Sequence, residues 1–178
     1  MAHQIRIFGD PVLKTQAAAV TGIDGKLVRL ADEMLQVMYD APGLGLAAPQ
    51  VGIQKQLFVY DVGDGPHTLV NPRIAESSGE WVYDEGCLSI PGLYVEIVRP
   101  KLVLLTGVDL DGNDVEIEAD ELTARLFQHE LDHLTGTLMF ERMTAEQRRE
   151  AMTEWRRMQD EPASAPRTKA ERRKIRLT

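Results

Sequence analysis

Apolar positions along the chain change their spacing twice. Between residues 24 and 40, Leu27, Leu30, Ala31, Met34, Leu35 and Met38 recur at helical intervals, which predicts a helix that packs on one face. Its methionines read as core filler more readily than as a binding surface. From Gln56 to Glu118 the pattern shortens to β-type runs at 57–60, 68–70, 80–83, 93–98, 102–106 and 115–118, with Asp111-Gly112 as a hairpin turn between the last two. Strands joined this closely pair mostly antiparallel. The helical interval then returns: Leu122, Leu126, His129 and His133 share one face, Asp120 is placed to cap the start, and Gly136 to end the helix. That face is otherwise apolar, so burial is expected. Thr144-Ala-Glu-Gln147 forms a capping box that opens a last helix through Met152, Trp155 and Met158. The order predicts an α+β fold: mostly antiparallel strands around a central helix, with N-terminal and C-terminal helices.

Two stretches fall outside these periods. Ala41-Pro-Gly-Leu-Gly-Leu-Ala-Ala-Pro-Gln50 is rich in small residues and predicts a closely packed loop with no regular element. Glu161-Pro-Ala-Ser-Ala-Pro-Arg167 breaks the last helix, which divides the chain into a single domain at 1–160 and a basic, flexible tail at 161–178. Charge sharpens that division. The chain carries -8, yet residues 160–178 hold six basic and three acidic side chains, leaving -11 for residues 1–159. An acidic body argues against DNA as a partner, while the tail can touch a polyanion. No apolar run reaches membrane-spanning length and Met1–Gly9 lacks a secretory signal's apolar segment, so a cytoplasmic protein without a membrane partner is expected.

The chemistry concentrates at His129-Glu130-Leu131-Asp132-His133. Histidines four apart on a helix lie one turn above each other, so both imidazoles can reach one metal ion, with Glu130 held beside it as a general base. Hydrogen-bonded core histidines, or a structural metal with four protein ligands, are the competing readings. A catalytic site of this kind needs a third ligand and an open position. Met139 stands where an extended form of the motif would carry another histidine, which leaves Glu154 and Cys87 in competition. Cys87, the single cysteine, lies in Glu85-Gly-Cys-Leu-Ser-Ile-Pro91 just after a strand, and a thiolate is a strong ligand for a soft divalent metal. Cys87 is favoured; Glu154 on its amphipathic helix is expected to face solvent.

Three separated stretches, Gly43-Leu-Gly-Leu-Ala-Ala-Pro-Gln50, Glu85-Gly-Cys-Leu-Ser89 and Gln128-His-Glu-Leu-Asp-His133, resemble the three signature motifs of the peptide deformylase family, in its shorter bacterial form. The resemblance implies an enzyme that removes the formyl group from the N-terminal formyl-methionine of newly synthesised proteins, by attack of metal-bound hydroxide. It implies Cys87, His129 and His133 as metal ligands and Glu130 as general acid and base. Gln50 through its side-chain amide, and Leu88 through its backbone N–H, would serve the developing oxyanion. Leu44, Gly45 and Gly86 would line the peptide groove. For the methionine pocket, Leu126 and the stem of Arg125 are the candidates one and two turns from the ligands, with Tyr94 or Arg99 at the border. Softness of the donors alone names Zn2+. The resemblance instead implies Fe2+, with Zn2+, Ni2+ or Co2+ able to substitute. Implied partners are N-formyl-methionyl nascent peptides and, through the basic tail, the ribosome. A general zinc endopeptidase and a metal-binding adaptor domain are the rivals; the first leaves the Gly43–Gln50 loop and Cys87 unexplained.

Overall fold

A computed structural model describes residues 3–160, so the basic tail lies outside the described residues. Helix α1 (Gly25–Asp40) is followed by strands β1 (Gly45–Ala47), β2 (Leu57–Tyr60), β3 (His67–Ser78), β4 (Trp81–Cys87), β5 (Ile90–Arg99), β6 (Leu102–Val108) and β7 (Asp114–Asp120). Helices α2 (Glu121–Leu134) and α3 (Ala145–Asp160) complete the described chain. Every pairing between these strands is antiparallel: one sheet has the order β1-β2-β3-β6-β7, and β4 with β5 forms a separate hairpin. The architecture is α+β, as the element order implied.

The sheet lies between two helices, and β2 shows why. Successive side chains of a strand point to opposite faces, so a strand buried on both must be apolar throughout. All four residues of β2 are buried. Phe58 and Tyr60 join Leu126 and Phe127 of α2 in one cluster, whereas Leu57 and Val59 join Met34 and Met38 of α1 in another. Phe127 stands edge-on to Tyr60 with ring centroids 5.0 Å apart. Each fully buried side chain of this size contributes about 1.5–3 kcal/mol relative to exposure. A third cluster sets Leu93, Val95 and Ile97 of β5 against Phe140 and against Ala151 and Trp155 of α3. Helix α2 is therefore gripped by the sheet on one side and lies beside the hairpin that carries Cys87.

The ends of α2 differ from the expectation at the start and match it at the finish. Asp120 occupies the N-cap position but its carboxylate accepts no bond from the helix; Glu121 enters with φ 41° and gives its N–H to the carbonyl of Lys101 at 2.9 Å. That backbone bond meets the first of the helix's free N–H groups, one that a capping side chain does not reach. Gly136 has φ 72°, and a Cβ there would lie 2.7 Å from the carbonyl carbon of Lys14, so both backbone and space require glycine. The Thr144 capping box forms, with Gln147 N–H donating to Thr144 Oγ1 and Thr144 N–H to Gln147 Oε1. Leu122, expected to be buried, is 44 % exposed at the edge of a cleft described below.

The Ala41–Gln50 stretch is not wholly irregular. Gly45, Leu46 and Ala47 pair with Tyr60, Val59 and Phe58, and a 3-10 turn spans Ala48–Val51. Three strand residues are too few to display a period, and two glycines among residues 43–45 mask the rest. Strand β3 also extends well past its predicted 68–70, since its outer half carries polar residues on an exposed face.

Candidate active site

His129 and His133 stand one turn apart on α2 and turn the same ring nitrogen inward, with their Nε2 atoms 3.2 Å apart. Cys87 reaches them from the end of β4. There the hairpin ladder breaks: Gly86 faces Tyr94 but Cys87 faces Ile90, so residues 91–93 of β5 have no partners and the thiol is turned toward α2. Its Sγ lies 3.3 Å from His133 Nε2, and the three donor atoms lie within 4.8 Å of one another. All three residues are buried. Two imidazoles and a sulfur converging without a fourth donor residue among the described residues fit a soft divalent ion with a coordination position left over. Glu154 is elsewhere, on α3, where it pairs with Arg157.

A ligating imidazole needs its second nitrogen held. For His129, Nδ1 lies 2.7 Å from Glu85 Oε1. Glu85 is itself gripped by Arg99, which donates from Nε at 2.7 Å and Nη2 at 2.6 Å, and by Arg125 Nη1 at 2.8 Å. Burial pushes the Glu85 carboxyl up, but the bonds and charges of Arg99 and His129 outweigh it and hold the group well below the usual carboxylate range. Burial likewise opposes the charge on His129, and the neighbouring Cys87 and Glu85 overcome it, whereas burial together with His129 holds His133 well below the ordinary histidine value.

Glu130 lies between the histidines and differs from every other acid nearby. It is 3 % exposed, and its Oε2 is buried with no hydrogen-bond partner among the described residues. Burial raises its carboxyl to about 7. Space for it is made by Gly45, where a Cβ would sit 2.5 Å from Glu130 Oε1. On the other side of Cys87, Gln50 accepts the Ala47 N–H at Oε1 (2.8 Å), which fixes the amide so that Nε2 points to Ser89 Oγ at 3.2 Å and Cys87 Sγ at 3.7 Å. Leu88 and Ser89 form the two-residue turn between β4 and β5.

These groups face a cleft of about 490 Å³. Leu44 and Gly45 line one wall and Gly86, Arg125 and Leu126 line others, together with Gln50, Cys87, Leu88, His129 and Glu130. The Arg125 head is committed to Glu85 and to the carbonyls of Trp81 and Ile97, and lies 5.2 Å from the Trp81 ring centroid, so its stem is the part left for the cleft. Tyr94 borders the cleft. Arg99 does not: it is buried between Glu85 and Asp132. Sequence reasoning missed Glu85 and Asp132 as supports. The available signal was the requirement itself, that a histidine ligand have a carboxylate behind it, with Glu85 two residues before Cys87.

The arrangement has close counterparts. The family described as polypeptide deformylase matches residues 2–149. A peptide deformylase of Clostridium botulinum is 50% identical over 142 residues, covering 80% of this chain and 97% of its own length. One of Agathobacter rectalis is 51% identical over 139 residues, covering 78% and 88%. Among solved structures, a peptide deformylase from Legionella pneumophila superposes with TM-score 0.83 at 36% identity, over 91% of this chain and all of that one. One from Synechococcus elongatus, solved in complex with actinonin, gives 0.82 at 42% identity over 85% of each chain. Fold, ligand geometry and relatedness over most of the length agree that the chain belongs to the peptide deformylase family.

Proposed function

We propose that this deformylase hydrolyses the formyl amide of N-formyl-methionyl peptides, with Glu130 as the group that moves the proton. The observation that carries the reading is the buried Glu130 carboxylate, raised to about 7 and with Oε2 lacking a hydrogen-bond partner among the described residues, beside three converging donor atoms next to an open cleft. A divalent ion held by Cys87, His129 and His133 would act as a Lewis acid, lowering the pKa of water and polarising the formyl oxygen. Glu130 accepts a proton from the attacking water as its oxygen bonds to the formyl carbon, and an acid-base group near neutrality suits both directions of transfer. Gln50 Nε2, held by the Ala47 N–H, and the backbone N–H of Leu88 donate to the oxyanion that develops. Glu130 then returns its proton to the amine as the C–N bond breaks, which yields formate and a free N-terminus. Leu44, Gly45 and Gly86 border the extended peptide, while Leu126 and the Arg125 stem wall the pocket for the methionine side chain.

Fe2+ is the ion inferred, with Ni2+, Co2+ or Zn2+ as substitutes in a sulfur-nitrogen donor set. Substrates of this class are new chains, which places the enzyme in the cytoplasm. No helix among the described residues is long and apolar enough to cross a membrane. We infer a second partner, the ribosome, contacted through the basic residues 161–178, whose cations suit an RNA surface. Formyl-Met peptides assayed beside internally cleavable peptides test the activity. Glu130→Ala should retain its metal and lose deformylation by at least about 10²-fold. Cleavage of the internal peptides, or an active Glu130→Ala enzyme, would overturn the reading.

A further inference from the structure

Asp132 stands on α2 directly before His133 and does not line the cleft. Its Oδ2 accepts from Arg99 Nη1 at 3.0 Å and from Arg142 Nε at 3.0 Å, and its Oδ1 accepts from Arg142 Nη2. Arg99 continues to Glu85 through two bonds, and Glu85 Oε1 receives His129 Nδ1. A single run of charged hydrogen bonds thus leads from the metal-ligand ring to Arg142, whose side chain is 47% exposed while those of Asp132, Arg99 and Glu85 are 8% or less.

We propose that Arg142 is a positioning residue for His129, acting through Asp132, Arg99 and Glu85. This inference rests on the reading of Cys87, His129 and His133 as a metal site. Buried carboxylates require their donors, and Asp132 has two arginines to share. With Arg142 in place, Asp132 takes a two-pronged contact from the surface and a single N–H from Arg99. The remaining Arg99 donors stay on Glu85. Removing Arg142 leaves Asp132 buried with that single donor, so the Arg99 fork is drawn toward Asp132 and away from Glu85 Oε1. Glu85 is then free to rotate and His129 loses its fixed orientation. The fork matters as much as the charge, because lysine presents a point cation in place of paired N–H groups.

The test uses the full chain loaded with Co2+, as wild type, R142M, R142K, D132N and R142M/D132N. The rate of Co2+ release to a chelator is followed through the thiolate-to-cobalt absorption, beside the Tm of each metal-free protein. Supports behind metal ligands typically shift metal affinity about 10- to 100-fold. R142M should release Co2+ at least about 10-fold faster than wild type, and R142K should fall between the two. The double variant should release no faster than the quicker single variant, because both act through one contact. A purely structural role would lower the metal-free Tm and leave release unchanged. Release within about twofold of wild type in both R142M and R142K would overturn the proposal, as would single effects that multiply in the double variant. Failure of the wild type to take up Co2+ would instead refute the ligand set on which the proposal rests.

Discussion

Gly45→Ala isolates the placement of Glu130 from its chemistry. The added methyl would stand 2.5 Å from Glu130 Oε1, 3.0 Å from its Cδ and 3.2 Å from its Cγ. Ordinary contact begins near 3.4 Å, so the carboxylate must retreat by about 0.9 Å. Glu130 is 3 % exposed and packed on a helix held by the sheet, which leaves the strain to fall on the side chain itself. A displacement of about 1 Å in a group that must meet a reacting atom costs on the order of 10²-fold in rate, equivalent to about 2.7 kcal/mol of barrier. Formate release from a formyl-Met peptide should show this loss in kcat, with metal content unchanged because the three atoms nearest the new methyl all belong to Glu130. A methyl that merely obstructs the peptide would raise KM and spare kcat. Wild-type kcat in a folded, metal-replete Gly45→Ala enzyme would refute the argument that this glycine exists to seat the carboxylate.

Gln50→Ala removes one donor from the oxyanion and should lower kcat by about 10²–10³-fold, or about 2.7–4 kcal/mol, read in the same assay; a loss below tenfold would take Gln50 out of that role. The iron form should lose activity in air as the Cys87 thiolate oxidises, and the nickel form should lose it more slowly, which thiol titration alongside turnover will follow; equal decay would remove the explanation. Truncation after Asp160 should weaken co-sedimentation with ribosomes in a salt-dependent manner while leaving turnover of small peptides intact; unchanged sedimentation would dismiss the tail as the contact.

What the residues disclosed in advance was the part of the site that obeys a local period. Two histidines at a helical interval share a face whatever the surrounding fold, and the apolar run of β2 and the face of α1 announced their burial in the same way. Contacts set by long-range geometry were silent. Glu85 and Arg99 are charged residues on strands, a type that more often faces water, yet they bond each other across the hairpin and His129 of α2 joins them at Glu85. Asp132 sits between His129 and His133 and reads as a solvated helix residue until Arg142 and Arg99 are seen to close on it. Strand β1 escaped for a different reason: its only evidence is its register with β2. The glycine at 45 read only as part of a closely packed loop, whereas it leaves room for the Glu130 carboxylate.

The mismatch between β4 and β5 at Gly86 and Cys87 bears on which parts of this scaffold can drift in length. A strand changes the side its residues face with each step, so one residue inserted or lost between Trp81 and Cys87 would turn the sulfur away from both rings. Deletions there cannot be absorbed by gradual adjustment. The Asp61–Pro66 and Asp109–Asn113 connections lie outside the cleft and carry no such constraint, so length polymorphism among relatives should collect at those two bends and spare the hairpin.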